Sequence, residues 1–439
     1  MRYNYLQATL WAASYILLVL TPLLLMLPEP RPVGRGFWME FGVALGFVGL
    51  AMLSLQFLLT GRFRNFAMGF GSANLLQFHL ATGVVAMCFV LAHPLTIIAT
   101  NPQFLIYIDP RVDFMRAFAL VGAAVGVILI VVSSLWRKKF RLAYDWWRLS
   151  HGALASLVLL IGLFHILQVG HFTGPWWKKA VIIIFAGGAL GLVIHSRLIK
   201  PYILTKFPYR VADVIEENAD VTTLVIEAVD HDGMHFKAGQ YAWITLGDTP
   251  FSLQQHPFSF ASSADEPTRL KFSAKALGDW TETWPDVKVG ANAYLEGPYG
   301  SFTIRWDSPC GAVFLAGGIG VTPIMSMLRT LADRGDERPY MLFYANPSWE
   351  VVVFREEIEA LKERLNLEVI HVLEEPPDDW DGEEGYVEPD VLDRHLPTPH
   401  DEYFYYICGP RPMMDMVESE LVSRDIPLPM IMSERFEIV

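Results

Sequence analysis

Residues 75–100, LLQFHLATGVVAMCFVLAHPLTIIAT, and residues 146–170, WWRLSHGALASLVLLIGLFHILQVG, are two apolar stretches that each carry two histidines fourteen positions apart. The pairs are His79 with His93, and His151 with His165. In a helix this separation falls about 40° short of four turns and rises roughly 21 Å, so both imidazoles of a pair share one face near opposite edges of a bilayer. Two such helices side by side would present two opposed imidazole pairs, a first tier of His79 and His151 and a second tier of His93 and His165.

Four imidazoles at matched depths in hydrocarbon need a partner that uses all of them, because an unpartnered polar group is costly there. Two haems, each with one axial histidine from each helix, fit this pattern. The alternative is that the histidines only form hydrogen bonds between helices. A zinc or soft-metal site is disfavoured, because a gap of roughly 21 Å cannot close one coordination sphere.

The chain has 439 residues, of which 52% are hydrophobic, and its apolar residues concentrate before residue 200. Six stretches there are long enough to cross a bilayer, and they predict a six-helix transmembrane bundle. They are Leu6 to Leu27, Phe37 to Thr60, Leu75 to Thr100, Phe114 to Trp136, Trp146 to Gly170 and Trp177 to Ile199. The first is interpreted as a retained helix, since its apolar run is too long for a signal peptide and no cleavage site follows. The first two, with only Glu40 ionisable near one end, are assigned to packing and lipid contact.

Loop charges predict the orientation of this bundle. With the N-terminus inside, more arginine and lysine residues lie in the inner segments than in the outer ones, which places both termini in the cytoplasm. The inner residues are Arg2, Arg62, Arg64, Arg137, Lys138, Lys139, Arg141, Arg148, Arg197 and Lys200, and the outer ones are Arg31, Arg35, Arg111, Arg116, Lys178 and Lys179. The first tier then lies near the inner leaflet and the second tier near the outer one.

The net charge of −13 argues against nucleic acid as a partner. An acidic run between Glu374 and Glu384 is interpreted as a solvated loop, with a calcium site as the less favoured alternative. The three cysteines, Cys88, Cys310 and Cys408, have no spacing typical of an iron–sulfur cluster or a disulfide framework.

After residue 204 the pattern changes twice. Short alternating runs first predict an antiparallel β-barrel of about six strands. They are Arg210 to Ile215, Thr222 to Ala228, Tyr241 to Leu246, Pro257 to Ala261, Leu270 to Lys275 and Ala291 to Glu296. From Gly311, apolar strands alternate with helical stretches, which predicts an α/β doubly wound parallel sheet. We therefore expect three domains, at residues 1–204, 205–308 and 309–439.

The last two predicted domains contain four short motifs. Gly317-Gly318-Ile319-Gly320-Val321-Thr322-Pro323 leads from the first parallel strand into a helix, where glycines and the helix N-terminus favour a pyrophosphate. Cys408-Gly409-Pro410 follows the fourth strand, at the edge where such sheets bind ligands. The barrel contains His256-Pro257-Phe258-Ser259 and Gly278-Asp279-Trp280-Thr281.

The barrel motifs resemble the flavin-binding barrel of the ferredoxin-reductase superfamily, and GGIGVTP with CGP resembles its nicotinamide-binding partner domain. With the six-helix, two-haem region in front, the whole chain resembles the NADPH oxidase and ferric reductase family, closest in length to its compact bacterial members. The resemblance implies FAD, two b-type haems and NADPH or NADH as cofactors. It also implies an integral protein of the bacterial inner membrane.

The resemblance also implies roles for individual residues. His256, Pro257, Phe258 and Ser259 would line the flavin, and Lys275, Gly278 and Thr281 would lie near its phosphates. Gly317, Gly318, Gly320 and Thr322 would hold the dinucleotide pyrophosphate. Cys408 would approach the nicotinamide, and Phe436 would cover the flavin, although Phe436 could equally be a terminal core aromatic.

The acceptor stays open at this stage. Oxygen giving superoxide, ferric complexes and a periplasmic partner protein are all compatible with the sequence, and a non-catalytic haem-binding nucleotide sensor is the alternative from another class. The donor is open as well, because Pro347 stands where the family often has an arginine for the 2′-phosphate of NADPH. Arg355 on the next helix could replace that arginine.

Overall fold

A computed structural model describes residues 2–30, 32–62 and 72–435. The described chain divides into two compact units, one formed by residues 2–30, 32–62 and 74–200 and one by residues 72–73 and 201–435. We refer to them as the membrane unit and, after the resemblance described above, the reductase unit.

The membrane unit consists of long apolar helices. They are α1 (Arg2–Leu24), α2 (Phe37–Thr60), α3 (Ser72–Thr100), α4 (Phe114–Leu135), α5 (Tyr144–Val169) and α6 (Trp176–Ile194), and a π-helical turn (His195–Ile199) and the short α7 (Lys200–Leu204) follow. Five apolar helices among the described residues are long enough to cross a membrane, and the apolar part of α1, Thr9–Leu24, is shorter. The chain is therefore an integral membrane protein, with a helix in each of the six predicted stretches.

Helix α2 is the most enclosed of the five, with 61% of its most apolar window buried against 11% for α3 and for α5. Small residues let it approach α3 closely. A Cβ atom added at Gly42 would lie 3.0 Å from Ile97, and one added at Gly49 would lie 2.9 Å from Val90. Gly42, Gly46 and Gly49 are four and three residues apart, and small residues at such spacings are typical of close helix packing in membranes.

Lys178, which the sequence counts among the outer loop charges, is fully buried. Its Nζ donates to the carbonyls of Met26 and Pro28, both at 2.7 Å, and of Pro30 at 3.1 Å. The three donors of the ammonium group are thus all used, which is what a buried lysine requires. The residue therefore fixes the segment after α1 to the start of α6.

The reductase unit begins with the predicted antiparallel barrel. Its strands are β1 (Tyr209–Glu216), β2 (Val221–Ala228), β3 (Tyr241–Leu246), β4 (His256–Ser259), β5 (Arg269–Lys275) and β6 (Asn292–Tyr299). They form one sheet in the order β4-β3-β6-β1-β2-β5, and an antiparallel bridge between Phe260 and Phe272 joins the two edges. Closure through Phe260 places the segment after β4 beside β5.

The second part of the reductase unit is a parallel sheet in the order β10-β9-β8-β7-β11-β12. Its strands are β7 (Gly311–Gly317), β8 (Tyr340–Ser348), β9 (Leu367–Glu375), β10 (Glu383–Glu384), β11 (Tyr403–Cys408) and β12 (Ile431–Ser433), and its helices are α8 (Val321–Asp333), α9 (Arg355–Lys362), α10 (Pro389–His395) and α11 (Arg411–Ser423). Every residue of β7 is buried, because helices cover both faces of the sheet. Strand order reverses between β7 and β11, and ligands of such folds bind at this position.

Polar contacts join helix α8 to the segment that follows β4. Ser326 donates to the Ser262 carbonyl at 2.7 Å, and the Ala264 amide donates to Thr330 Oγ1 at 2.9 Å. The barrel strand with the predicted flavin motif is thus hydrogen-bonded, a few residues further on, to the helix that follows the glycine-rich turn.

Candidate functional site

Helices α3 and α5 bring the four predicted histidines together as two tiers. In the first tier the ring centres of His79 and His151 are 6.2 Å apart. In the second tier those of His93 and His165 are 6.3 Å apart. The structure therefore pairs the imidazoles across the two helices in the register that the sequence predicts.

These separations fit an iron porphyrin. A metal–nitrogen bond of about 2.0 Å, with about 1.1 Å from ring nitrogen to ring centre, sets two opposed axial imidazoles about 6.2 Å apart, centre to centre. No cluster of three or more histidine, cysteine or acidic residues suited to a metal ion occurs in the described residues. A pair of imidazoles by itself leaves a metal under-coordinated, whereas a porphyrin supplies the other four ligands.

One imidazole in each tier has its Nδ1 fixed by a neighbouring helix. His93 Nδ1 lies 2.8 Å from the Gly42 carbonyl on α2, and since a carbonyl can only accept, this nitrogen donates. His151 Nδ1 lies 3.2 Å from Ser134 Oγ on α4. A proton on Nδ1 leaves the lone pair of Nε2 available to a metal, the arrangement usual for histidine ligands.

The role of α2 at this site was not predicted, because the sequence analysis assigned this helix to packing and lipid contact. The Gly42 carbonyl accepts the hydrogen bond of His93, and Gly46 faces the same ring. A Cβ atom at Gly46 would lie 2.7 Å from His93 Nδ1, closer than real Cβ atoms come to other atoms. Only glycine leaves room for the imidazole at this position.

In the reductase unit, strand β4 and the loop after β5 form an aromatic surface. His256 and Phe258 alternate along β4, and both stack on Trp280, with ring centres 4.6 and 5.4 Å away. Alternate residues of a strand point to the same face, which explains why one indole contacts both. Trp280 was part of a quoted motif but was not among the predicted site residues.

Two features beside this surface fit a bound flavin nucleotide. Ser259 Oγ is buried without a hydrogen-bond partner among the described residues, an atom that a ligand could satisfy. Thr281 Oγ1 accepts from the amides of Leu277 at 3.1 Å and Gly278 at 3.3 Å, so these amides converge on one point. A phosphate could take the place of the Thr281 hydroxyl as the acceptor for these two amides. Lys275 ends β5 immediately before that loop.

The structure brings the two predicted nucleotide motifs into contact at the reversal of strand order. A Cβ atom at Gly320 would lie 2.3 Å from the Cys408 carbonyl oxygen, and one at Gly317 would lie 2.5 Å from Pro410. Gly318 has φ +52° and nothing within 4 Å of its Cβ position. The turn is thus packed on one side and open on the other, at the N-terminus of α8, where Thr322 Oγ1 donates to the Ile319 carbonyl at 2.9 Å.

Cys408 ends β11 and is fully buried. Burial raises the pKa of its thiol well above the usual range, and the charge of nearby Glu434 adds to the shift. Cys408 is therefore a protonated thiol at neutral pH, and its part in the site is shape rather than nucleophilic chemistry. Phe436 lies outside the described residues.

Glu434 is an additional candidate that the sequence analysis did not find. It is 7% exposed, its amide donates to the Ile407 carbonyl at 3.1 Å, and it lies within electrostatic range of Cys408. Burial raises the pKa of this carboxyl to about 7. Strongly shifted carboxyls cluster at functional sites, and one beside a predicted nicotinamide position fits that rule.

Three family models match successive parts of the chain. They are "Ferric reductase like transmembrane component" at residues 45–162, "FAD-binding domain" at residues 206–313 and "Oxidoreductase NAD-binding domain" at residues 314–419.

Curated relatives match between 32 and 52% of the chain. The reductase component of propane 2-monooxygenase from Rhodococcus jostii is 28% identical over 235 residues, 52% of this chain and 62% of that protein. NADH-cytochrome b5 reductase 1 from Debaryomyces hansenii is 30% identical over 235 residues, 52% of this chain and 81% of that protein. The chain spans 48 to 57% of the length of three other relatives. A solved ferredoxin reductase of carbazole 1,9a-dioxygenase aligns with 52% of this chain at 24% identity and a TM-score of 0.46.

A ferric-reductase-like membrane domain, an FAD-binding domain and an NAD-binding domain in one chain define a membrane protein with flavin- and nicotinamide-nucleotide-binding domains. This chain belongs to the NADPH oxidase and ferric reductase family.

Proposed function

We propose that the chain takes electrons from NAD(P)H on the cytoplasmic side of a membrane and delivers them to an acceptor on the outer side. Its cofactors would be FAD and two haems. The observation that carries this proposal is the pair of facing imidazole tiers, at 6.2 and 6.3 Å. No simpler use of four matched histidines inside hydrocarbon accounts for both the separation and the repetition.

When bound, FAD supplies the conversion between the two-electron chemistry of a nicotinamide and the one-electron chemistry of haem iron. The residues of this chain would hold and orient the cofactors. His79 and His151 would bind one iron, and His93 and His165 the other. The Gly317 to Gly320 turn would bind the dinucleotide, Cys408 would lie near the nicotinamide, and Phe436 would cover the flavin. His256, Phe258 and Ser259 would bind the flavin.

The three proposed domains are residues 1–204, 205–308 and 309–439. Their boundaries fall after α7, which ends at Leu204, and between β6 and β7. The loop charges support cytoplasmic termini, with the first tier on the cytoplasmic side and the second tier on the outer side. If two histidines hold each haem, the acceptor would receive electrons without binding to the iron.

Two observations favour NADH as the donor. First, the Pro347 side chain has no hydrogen-bond donor for a 2′-phosphate, and the guanidinium of Arg355 lies over the Trp349 ring, 5.1 Å from its centre. Several relatives are named as NADH-dependent reductases. We therefore propose a higher kcat/KM with NADH than with NADPH.

Anaerobic spectroscopy of the purified full chain tests the function. NADH should bleach the flavin band and then convert the haem bands to the reduced form, and reoxidation by oxygen or by a ferric chelate should identify the acceptor. Flavin bleaching with unchanged haem bands would contradict electron transfer between the two units. A chain that retains bound haem and FAD but consumes neither nucleotide would instead support the nucleotide sensor.

A further inference from the structure

Ser134, near the end of α4, makes two hydrogen bonds of different kinds. Its Oγ donates to the Ile130 carbonyl at 2.6 Å and lies 3.2 Å from His151 Nδ1 on α5. Serines in membrane helices commonly donate to the carbonyl four residues before them, so the first bond alone indicates nothing. The second bond is informative, because it connects a helix without a predicted haem ligand to one with two.

The first bond determines the direction of the second. A hydroxyl has one proton, and Ser134 gives it to Ile130, so the same oxygen offers only lone pairs to His151. His151 Nδ1 must therefore carry the proton and donate. This selects the tautomer in which Nε2 has a free lone pair, and it restricts rotation of the ring.

We propose that Ser134 is a positioning residue for the first tier, which orients His151 as an axial ligand and lowers the reduction potential of the iron bound there. The inference rests on the proposed function, since it needs a haem between His79 and His151. A hydrogen bond from Nδ1 makes an imidazole a stronger electron donor, and stronger donation favours ferric over ferrous iron.

Among the described residues, Ser134 is the only side chain that forms a hydrogen bond with Nδ1 of a tier histidine. Mutation can therefore remove this contact. The corresponding hydrogen bond of His93 is accepted by the main-chain carbonyl of Gly42. A substitution at residue 42 would keep that carbonyl. His79 Nδ1 is buried without a hydrogen-bond partner in the part of the chain that the structure describes. Changes at Ser134 should therefore affect one haem and leave the other unchanged.

Ser133 offers a matched control. It lies beside Ser134 on the same helix, and its Oγ also donates to the Ile130 carbonyl, at 3.2 Å. No hydrogen bond joins Ser133 to His151 among the described residues. Substitution of either serine removes a hydrogen bond to the Ile130 carbonyl, whereas only substitution of Ser134 removes the contact with the His151 imidazole.

The experiment is a spectroscopic redox titration of the full chain carrying Ser134→Thr, Ser134→Val, Ser134→Ala or Ser133→Ala. Threonine and valine have the same shape and differ in the hydroxyl, so they separate hydrogen bonding from packing. We expect both haems in all variants. One of the two midpoints should move to a more positive value in Ser134→Val and Ser134→Ala, and both should keep the wild-type values in Ser134→Thr and Ser133→Ala.

The shifted haem is identified in a His93→Ala background, where the single remaining haem should show the same shift. Equal midpoints for Ser134→Thr and Ser134→Val would overturn the inference while leaving the proposed function intact. If Ser134→Ala assembles poorly, the comparison of threonine with valine still decides. A wild-type chain without haem would instead overturn the proposed function, and the inference with it.

Discussion

Gly46 on α2 lies against the imidazole of His93 on α3, and a methyl group at this glycine would come 2.7 Å from ring atom Nδ1. The ring could escape that contact only by leaving its hydrogen bond to the Gly42 carbonyl, 2.8 Å away. The orientation of one proposed haem ligand thus depends on a helix that carries no ligand.

We expect Gly46→Ala to lower the haem content from two toward one per chain, or to change one haem from low spin to high spin. Pyridine haemochrome assays and electron paramagnetic resonance measure these two effects. Gly122→Ala is the control, because nothing lies within 4 Å of a Cβ atom at Gly122. Two low-spin haems in Gly46→Ala would show that the ring accommodates the methyl group.

Arg329 on α8 pairs with Glu357 on α9, with Nε 2.6 Å from Oε1, and also donates to the Ala261 carbonyl of the barrel. It therefore links the segment after β4 to helix α8. We expect Arg329→Met to destabilise the protein by about 2 kcal/mol, since charged hydrogen bonds are lost and partners are left unsatisfied. It should also slow flavin reduction by NADH at saturating donor. Stopped-flow absorbance would measure this step, with Arg334→Met as a control that loses an exposed pair with Asp265 and a contact with the Trp306 ring.

The same pair has a defined pH dependence. Burial of Glu357 opposes its ionisation, but Arg329 outweighs burial and lowers the pKa of this carboxyl below 4.5. A carboxyl with a lowered folded pKa stabilises the fold above its unfolded pKa, and that stabilisation is lost as the pH falls through the folded value. The difference in unfolding temperature between wild type and Glu357→Gln should therefore shrink below pH 4.5, and a constant difference would exclude this coupling.

The contribution of Glu434 to stability should change with pH in the opposite direction to that of Glu357. Burial raises the pKa of its carboxyl from 4.5 to about 7, so the folded state favours the protonated form. Its contribution is fully present below pH 4.5 and is lost as the pH rises to about 7, by about 3 kcal/mol in total. Thermal unfolding of the full chain should show wild type losing stability over this range relative to Glu434→Gln. Parallel pH profiles for the two proteins would contradict a buried carboxyl at this position.

Much of the architecture could be predicted because it depends on local periodicity. The fourteen-residue spacing between His79 and His93 fixes their shared helix face whatever the neighbours are, and the structure pairs them with His151 and His165. The two sheets follow from alternation and from strand–helix order in the same way. The bounds of the predicted strands differ from the structure by only a few residues.

The supporting residues could not be predicted, for three different reasons. Gly42 acts through its main-chain carbonyl. Because every residue has a carbonyl, the sequence does not show which one accepts the hydrogen bond. Ser134 and Ser133 are equivalent in sequence, and only the packing of α4 on α5 separates them. Glu434 is a single acidic residue after a short strand, a pattern typical of an exposed position, and only the fold around Cys408 buries it.

The haem content of the purified full chain tests the central claim most directly. The account predicts two haems per wild-type chain and one after His79→Ala or His93→Ala. His195→Ala, which changes a histidine outside both tiers, should keep two. The His79→Ala protein should still pass electrons from NADH to a soluble dye, because the reductase unit is unchanged. A colourless wild-type protein, or two haems retained in either tier variant, would contradict the account.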